Sequence, residues 1–564
     1  MVDVNSISFL PKQGAIVPFK ALVLAPLCGE NAPEELNEPI EINHNNFDHV
    51  IKSFSPVIDV DIDNPQLCQL MGLERQTITL SYALDSYSDF EPAAIIQKEP
   101  SLLEISRVID TIHKVLQQDG NSFSSEVFTL KHIQLAELSV EKVKRHQLEL
   151  IICELELVLS QVLNQILHQA NWQQLESAWR GLYLLCQTAA QSEVLIVECA
   201  SASKNVLWDD LFSSSDLPSS SLYQHVYINS IGQYGAVPYG VLLVDDYFAG
   251  SGSDLTLLKA ITDVCSKAHL PVVTGVSANM FDVPDFNTLQ DSSYISEIHG
   301  SNRYIKWRSF ISTEQASFLA LTMPRLLFRD IYNKDPKGLS WFQENTGNSH
   351  EDCLWGNASF GFVDNLFKSF EDSGFCSFIS GTEGGVLDLS ALQTKNTNLP
   401  VEIAFSEEKE AELISLGFNP VCTKAYQNQL LFQSANSVRW GNVKVNHRHQ
   451  SVDSIASAQL QYLFIVMRII HCLKIIFRES VGATTSSSAL STILNRWLRQ
   501  FVSDVEAPSK VLRAQRPLKD ASVVVVATSD AGWFDIQVEL SPHMKYLGNT
   551  IAINTVVPMI EEVS

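Results

Sequence analysis

Leu148, Ile152, Leu155, Leu159, Leu163, Ile166 and Leu167 recur every three to four residues, the spacing that lines apolar side chains along one face of an α-helix. Residues 121–180 contain neither Gly nor Pro. The stretch therefore predicts one or two long amphipathic helices, ending at NWQQLESAWRGL (171–182) with Gly181 as the stop. An apolar stripe of that length needs a partner inside or outside the chain.

Earlier in the chain the pattern is mixed. GAIVPFKALVLAP reads as a buried strand, and NHNNFDHVIKSFSP as an N-capped helix stopped by Pro56. RQTITLSYAL alternates like a strand. Leu102, Ile105, Ile109, Ile112 and Leu116 mark a helix closing this block. The polar break QQDGNSFSSE follows, so the first region is set at 1–117, a connection at 118–145 and a large region at 146–564. In the large region SEVLIVECA and PYGVLLVDDY read as buried strands, and DLTLLKAITDVCSKAHLPVVTGVS as a helix and then a strand. The tail SVVVVATSDAGWFDIQVEL reads as two strands about a turn at 530–532, with a further strand in NTIAINTVV. Strands ending a chain leave an edge to be covered or paired with another chain.

LQYLFIVMRIIHCLKIIF (460–477) approaches the length of a membrane span but carries Arg468, His471 and Lys474. At 100° per residue these three and Arg478 fall within about 120° of one another. That describes a buried helix with one basic stripe, expected either to face solvent with local ion pairs or to dock on an acidic surface. On the docking reading, Arg468→Glu with Lys474→Glu should block assembly and leave the protein soluble.

At 564 residues the chain exceeds one core and predicts two to four domains. Its 45% hydrophobic content fits a folded protein, and a net charge of −25 argues against nucleic acid, which demands Lys and Arg. The ten cysteines form no CxxC and lie mostly among apolar residues, as expected of reduced thiols in a cytoplasmic protein. The N-terminus has no basic, apolar leader pattern, so neither a signal peptide nor membrane insertion is expected.

Candidate chemistry is sparse. The sequence holds no GxxxxGK[ST], no GxGxxG after a strand, no HExxH and no GxSxG. GTEGG (381–385) reads as a tight turn, and Asp245-Asp246 as a strand-end cap or salt bridge. His447-Arg448-His449 lacks the neighbours of a zinc site. Glu176 and Arg180, at i and i+4, read as a helix ion pair of about 0.2–0.5 kcal/mol. No cofactor, metal or enzymatic activity is expected. A hydrolase built on Asp245, Asp246 or the 447–449 histidines is the competing reading from another class.

LNQILHQANWQQLESAWRGLYLL resembles the segment near the start of the large subunit of the type VI secretion contractile sheath (the TssC, or VipB, type), through Trp172, Leu175, Glu176, Trp179, Arg180, Gly181 and Leu182. The resemblance continues in order. Gly240, Asp246, Tyr247 and Phe248 are similar to a Gly-Asp-Tyr-x-Phe signature, with Asp245 in place of its glycine. IKWRSF, MPRLLFRDIY, CLWGNASF, ISGTEGGVLDL and ELISLGFNPV follow. Arg468, His471, Lys474 and Arg478 come next, then Leu494, Asn495, Trp497 and Leu498, and finally Gly532, Phe534, Leu540, Pro542 and His543. This likeness covers 146–564. The first block resembles the small sheath subunit (the TssB, or VipA, type), through VPFKALVLAPLCG, NNFDHVI and Asp89, Phe90 and Pro92.

The resemblance implies both sheath subunits fused in order, with a mixed α/β (α+β), multi-domain, contractile tail-sheath-like fold. Fusion would hold the halves at high effective concentration. It implies a helical polymer of fused protomers around an inner tube protein, seated on a baseplate and linked by exchanged strands. Residues 2–10 and 522–540 are the candidates for exchange. Contraction would be a two-state switch, not turnover chemistry. The family's large subunit usually carries a longer N-terminal extension, including a helix read by a recycling AAA+ unfoldase. The short connection here puts that partner in doubt. A non-polymerising cap or baseplate accessory is the alternative. Glu176 and Arg180 are expected to lock the helix end to the core. The basic stripe is expected to meet small-subunit or tube surfaces.

Overall fold

The run FKALVLA carries one charge, at its first turn of the pleat, and is otherwise apolar on both faces, so strand β1 (Phe19–Ala25) belongs inside a sheet. In the computed structural model β1 lies between β7 (Leu195–Ser201) and β8 (Tyr239–Phe248), parallel to both. Phe19 pairs with Leu195, and Ala21 with Val241. Two further parallel strands, β9 (Val272–Val276) and β10 (Leu319–Met323), and a hairpin of β13 (Asn419–Lys424) with β14 (Gln429–Phe432) extend one side. The short β2 (Ile40–Ile42) closes the other, giving the order β14-β13-β10-β9-β8-β1-β7-β2. A strand of the first block is thus an interior strand of the large region's sheet. The two halves share one core.

The structure describes residues 17–560 apart from 75, 117–121, 125–141, 214–215, 293–294, 335–338, 348–349, 391–399, 425–428, 446–456, 481–486, 506–507, 528–532, 544, 547–548 and 551–552. Residues 2–10, the turn at 530–532 and His447–His449 lie outside the described residues.

Helix α1 (Phe47–Phe54) forms where expected, but Asn46 makes no cap bond to it and the left-handed Ser55 (φ 46°) terminates it ahead of Pro56. After α2 (Pro65–Leu70), the expected closing helix forms as α4 (Pro100–Leu116), and a further short helix, α3 (Pro92–Lys98), precedes it, separated because Pro100 supplies no backbone N–H and Glu99 is extended. Strands β3 (Val57–Asp63) and β4 (Thr77–Ala83) form a hairpin-like pair. The backbone of β5 (Ser122–Ser124) pairs with β6 (Lys142–Lys144) in the connection. The long stripe divides into α5 (Arg145–Leu167) and α6 (Ala170–Ala189).

Gly181 does not stop α6; it lies in the middle of it. A Cβ there would stand 2.5 Å from the Phe360 ring, so glycine is required by close packing on helix Ala358–Ser373 and not by a turn. Gly240 plays the same part in β8, where a Cβ would overlap the ring of Phe19.

Short pairs β11 (Leu326–Leu327) with β12 (Trp355–Gly356), and β17 (Lys545–Tyr546) with β18 (Asn549–Thr550), trim the periphery. The C-terminal sheet has the order β15-β16-β19, from β15 (Leu518–Ala527), β16 (Trp533–Pro542) and β19 (Ile553–Ile560). Among the described residues two helices, Arg145–Leu167 and Leu460–Arg478, are long and apolar enough to cross a bilayer, and 83% of the second's apolar stretch is buried in the protein.

Candidate functional site: the seam between the halves

Trp172, Glu176, Trp179 and Arg180 occupy one face of α6, and that face meets the first block. Trp172 lies edge-on to Tyr82 and Phe90, with ring centroids at 5.7 and 5.9 Å. Trp179 meets Phe47 and Phe54, both at 5.9 Å, and its Nε1 donates to the carbonyl of Leu27 at 3.3 Å. Edge-to-face pairs contribute about 0.5–1.5 kcal/mol each beyond the area they bury. One helix face thus clamps α1, β4 and the loop after β1.

Beside the tryptophans lies a buried ionic network. Glu176 Oε1 accepts from Arg180 Nε at 2.8 Å and from Arg329 Nε at 3.0 Å. Arg329 also holds Glu344 through both carboxylate oxygens, at 2.7 and 3.1 Å. Arg180 donates to Tyr87 Oη at 3.0 Å and Tyr332 Oη at 3.2 Å, and stands 3.7 Å from Glu91. Tyr87 and Glu91 come from the first block, so the network crosses the seam. Glu176 is fully buried and Arg180 is 1% exposed. The expected i, i+4 ion pair is present but buried, so its worth depends on the whole network and not on its helix spacing alone. Burial pushes the Glu344 carboxyl up, but the Arg329 guanidinium overrides this and brings it down to about 2. Burial likewise works against the Arg180 charge, and Glu176 restores it.

The basic stripe lies on helix Leu460–Ser480 and faces the interior. Arg468 donates to the carbonyls of Val17 and Pro18, the latter at 3.1 Å, and covers the Phe370 ring at 4.8 Å. His471 Nε2 meets the carbonyl of Ala268 at 2.9 Å, at the C-terminus of helix Gly252–Lys267. Lys474 Nζ lies 3.3 Å from His269 Nδ1, and Arg478 donates to Ile231 and Ala236 carbonyls at 2.8 and 3.0 Å. Helix ends and loop carbonyls carry the partial negative charge that these groups meet. The stripe is therefore not a solvated face: it meets backbone carbonyls, and Arg468 meets those of the first block, which resembles the small subunit. Burial drives His471 down to about 3, against its bond to Ala268, and Lys474 down to about 8. Reversing Arg468 and Lys474 to glutamate would disrupt the fold before it could test assembly.

The remaining candidates are internal to the C-terminal region. Trp497 packs edge-on against Phe501 at 4.9 Å, and Phe501 against Phe375 at 5.3 Å. Pro542 pairs with Leu518, while His543 donates from its backbone to Pro517 at 2.8 Å and its ring meets the Ser503 carbonyl at 3.0 Å. The outer edge of β15, within the 522–540 segment, is occupied: Asn495 bonds both the N–H (3.0 Å) and the carbonyl of Val523, and Ser491 Oγ accepts from Val525 N at 2.9 Å.

Asp246 forms the expected salt bridge, with Lys204 at 3.2 Å, while Asp245 bonds Asn357. Burial, reinforced by Asp246, raises the Asp245 carboxyl to about 7. GTEGG forms a single helical turn, Gly381–Gly384. All ten cysteines are free, Cys153 exposed and Cys353 half-buried, the rest buried. No cluster of three His, Cys, Asp or Glu side chains among the described residues could hold a metal ion. Sequence reasoning missed Glu344, Arg329 and Tyr87 as partners of Glu176 and Arg180. They lie 89 to 168 residues from α6's pair, Tyr87 across the seam, and no local spacing announces them.

Comparison with known proteins divides the chain in three. Residues 12–125 match the family described as type VI secretion system, VipA, VC_A0107 or Hcp2. Residues 149–439 match the EvpB/VC_A0108 tail sheath N-terminal domain, and 449–559 its gpW/gp25-like domain. The type VI secretion system sheath protein TssC1 of Pseudomonas aeruginosa is 31% identical over 424 residues, 72% of this chain and 85% of the relative. A chain of the anti-feeding prophage baseplate, solved by cryo-electron microscopy, is 11% identical with a TM-score of 0.33, covering 69% of this chain and 79% of that one.

Proposed function

Because the chain belongs to the type VI secretion tail-sheath family and carries the small- and large-subunit regions in one polypeptide, we propose that it is the repeating protomer of a contractile sheath. It polymerises around an inner tube, stands on a baseplate in the cytoplasm, and contracts to drive the tube into a target cell. The observation that carries this reading is β1. The first block contributes an interior strand to the large region's sheet, so the fused halves behave as one rigid building block, as a protomer that must transmit force requires. The buried Glu176–Arg180–Arg329–Glu344 network and the α6 tryptophans lock the same seam, and Arg468 ties the C-terminal part to the start of β1. The protomer's role is structural: it stores energy in a lattice and releases it by rearrangement.

Copies join head to tail, since a contact between two different surfaces repeats without closing. With the outer edge of β15 occupied by Asn495 and Ser491, β19 is the side of the C-terminal sheet at which a neighbour's strand would add. Recycling by an AAA+ unfoldase would need a docking segment within the connection 118–145.

Negative-stain electron microscopy of the full-length chain tests the reading. Hollow tubes with cogwheel-shaped ends are expected. Discrete particles only, even with tube protein and baseplate added, would overturn polymerisation and favour a cap or baseplate accessory.

A further inference from the structure

In a chain of net charge −25, the C-terminal region carries a local excess of positive charge. Arg496, Arg499, Arg513 and Arg516 are all exposed, and none forms an ion pair among the described residues. Helix Ser487–Leu498 buries Leu490, Leu494 and Leu498 and turns Asn495 to β15, which leaves Arg496 on its outer face. Its end and the following helix, Lys510–Gln515, converge on one turn. Phe501 packs on Phe375 at 5.3 Å, and Ser377 Oγ donates to the Ala514 carbonyl at 3.5 Å.

Between helix Lys510–Gln515 and helix Ala358–Ser373 lies a groove of about 570 Å³. Asn365 lines it, is 2% exposed, and its Nδ2 has no hydrogen-bond partner. An unmet buried donor of this kind is costly unless an acceptor reaches it. Lys368 and Lys510 stand on the rim, held by Asp364 at 2.6 Å and Glu383 at 3.1 Å. Val511, 66% exposed, makes an apolar lip. Asp372 and Glu383 balance the two lysines within the lining, so the excess positive charge comes from Arg513 and Arg516, which flank the lining residues Ala514 and Gln515. A donor at the floor, an apolar lip and these flanking guanidiniums fit an extended acidic segment that offers a backbone carbonyl.

The chain itself has such a segment. Residues 30–41, ENAPEELNEPIE, hold Glu30, Glu34, Glu35, Glu38 and Glu41, all exposed and none in an ion pair among the described residues. Leu36 anchors the loop in the core, while Ile40 is 37% exposed. The segment leads into β2, one edge of the eight-stranded sheet. The groove abuts the opposite edge: Gly385 accepts from Phe432 of β14 at 2.9 Å. Seven strand spacings of ~4.8 Å separate the two edges, so the loop cannot fill the groove of its own chain.

We propose that residues 30–41 of one copy dock in the Asn365 groove of the next, a head-to-tail contact between opposite edges of the sheet. The contact repeats from copy to copy and therefore rests on the polymerisation proposed above. Its strength falls with salt, because the attraction is between exposed charges.

The test uses the full-length chain, mixed in ¹⁴N- and ¹⁵N-labelled batches, and zero-length carbodiimide cross-linking read by mass spectrometry. Mixed-isotope links from Lys510 or Lys368 to glutamates of 30–41 are expected. In parallel, Arg513→Glu with Arg516→Glu, and Glu34→Lys with Glu35→Lys and Glu38→Lys, should each raise the concentration needed for tubes at least about tenfold, a shift of about 1.4 kcal/mol. Combining the two sets should restore assembly. Circular dichroism and a thermal melt matching the parent show that each variant is folded. Wild-type tubes that lack these links, with both reversed sets assembling normally, would overturn the contact and leave the sheath reading intact. If the wild type forms no tubes, the sheath reading fails. Mixed-isotope links in soluble multimers would then still support the contact, and their absence would overturn both.

Discussion

Arg468 donates from Nη1 to the carbonyl oxygen of Pro18 at 3.1 Å, across 450 residues of sequence. The guanidinium also covers Phe370, so one side chain joins the C-terminal helix, the entry to β1 and helix Ala358–Ser373. Arg468→Leu keeps the apolar stem but leaves two carbonyls unmet. We expect a loss of ~1–3 kcal/mol, the range for leaving a buried polar group unsatisfied, read as a lower midpoint in urea unfolding. An unchanged midpoint would mean that water satisfies those carbonyls equally well.

Arg329 is the hub of the seam network. Arg329→Met would leave Glu344 buried without its guanidinium and Glu176 with Arg180 alone. Breaking a buried pair in this way costs roughly 3–5 kcal/mol, and poor recovery of soluble protein is expected. Glu176→Gln keeps acceptor capacity for Arg180 and Arg329, so it should cost less. The comparison is made by thermal melts of the two variants. A milder effect from Arg329→Met would show that the carboxylates simply take up protons.

Glu344, His471 and Lys474 are among the groups that shape the pH dependence. Glu344 is held at about 2, below its ordinary value, so its stabilisation is present above about 4.5 and lost as pH falls towards 2. His471 is held at about 3 and must be neutral in the fold; the unfolded chain gains its proton below about 6.5, so stability falls from there down to 3. Lys474, at about 8, behaves likewise between 10.5 and 8. His471→Gln should flatten the slope between pH 6.5 and 4.5 in particular. A slope identical to the parent's there would remove His471 from the account.

Gly181→Ala adds a good helix former to the middle of α6, worth up to ~1 kcal/mol in isolation. The new Cβ, however, would sit 2.5 Å from Phe360, and overpacking of this kind costs about 1–3 kcal/mol. We expect a net fall in melting temperature. The double variant with Phe360→Leu should recover part of it. A rise in the single variant would show that Phe360 moves freely.

Asn495→Ala would uncover both backbone groups of Val523 on the outer edge of β15. Bare edges promote unwanted pairing, so larger species by light scattering are expected at low temperature, without loss of helical signal. A monodisperse sample would mean that Ser491 alone guards the edge.

The helical periods of α5 and α6 and the apolar runs of β1, β7 and β8 were legible because each is a local pattern whose period survives any packing. The closing helix α4 was legible on the same ground, through Leu102, Ile105, Ile109, Ile112 and Leu116, whereas the short α3 before it was not read. Gly181 was misread because a glycine at a helix end and a glycine under a neighbouring ring look alike in one dimension. The basic stripe was only partly legible for a related reason. Periodicity places Arg468, His471, Lys474 and Arg478 on one face, but a face has no inside or outside until something packs on it. Here backbone carbonyls, which no side-chain pattern encodes, cover it.

By itself, the sequence determined the element types, the order of the two halves and their family likeness, since these rest on local period, turn chemistry and ordered motifs. Only the tertiary structure decided that β1 runs between β7 and β8, that Glu176 answers to Arg329 and Glu344, and that Asn365 lies unmet in a groove opposite the acidic loop. Those relationships join residues tens to hundreds of positions apart, and it is packing in three dimensions that brings them within reach of one another.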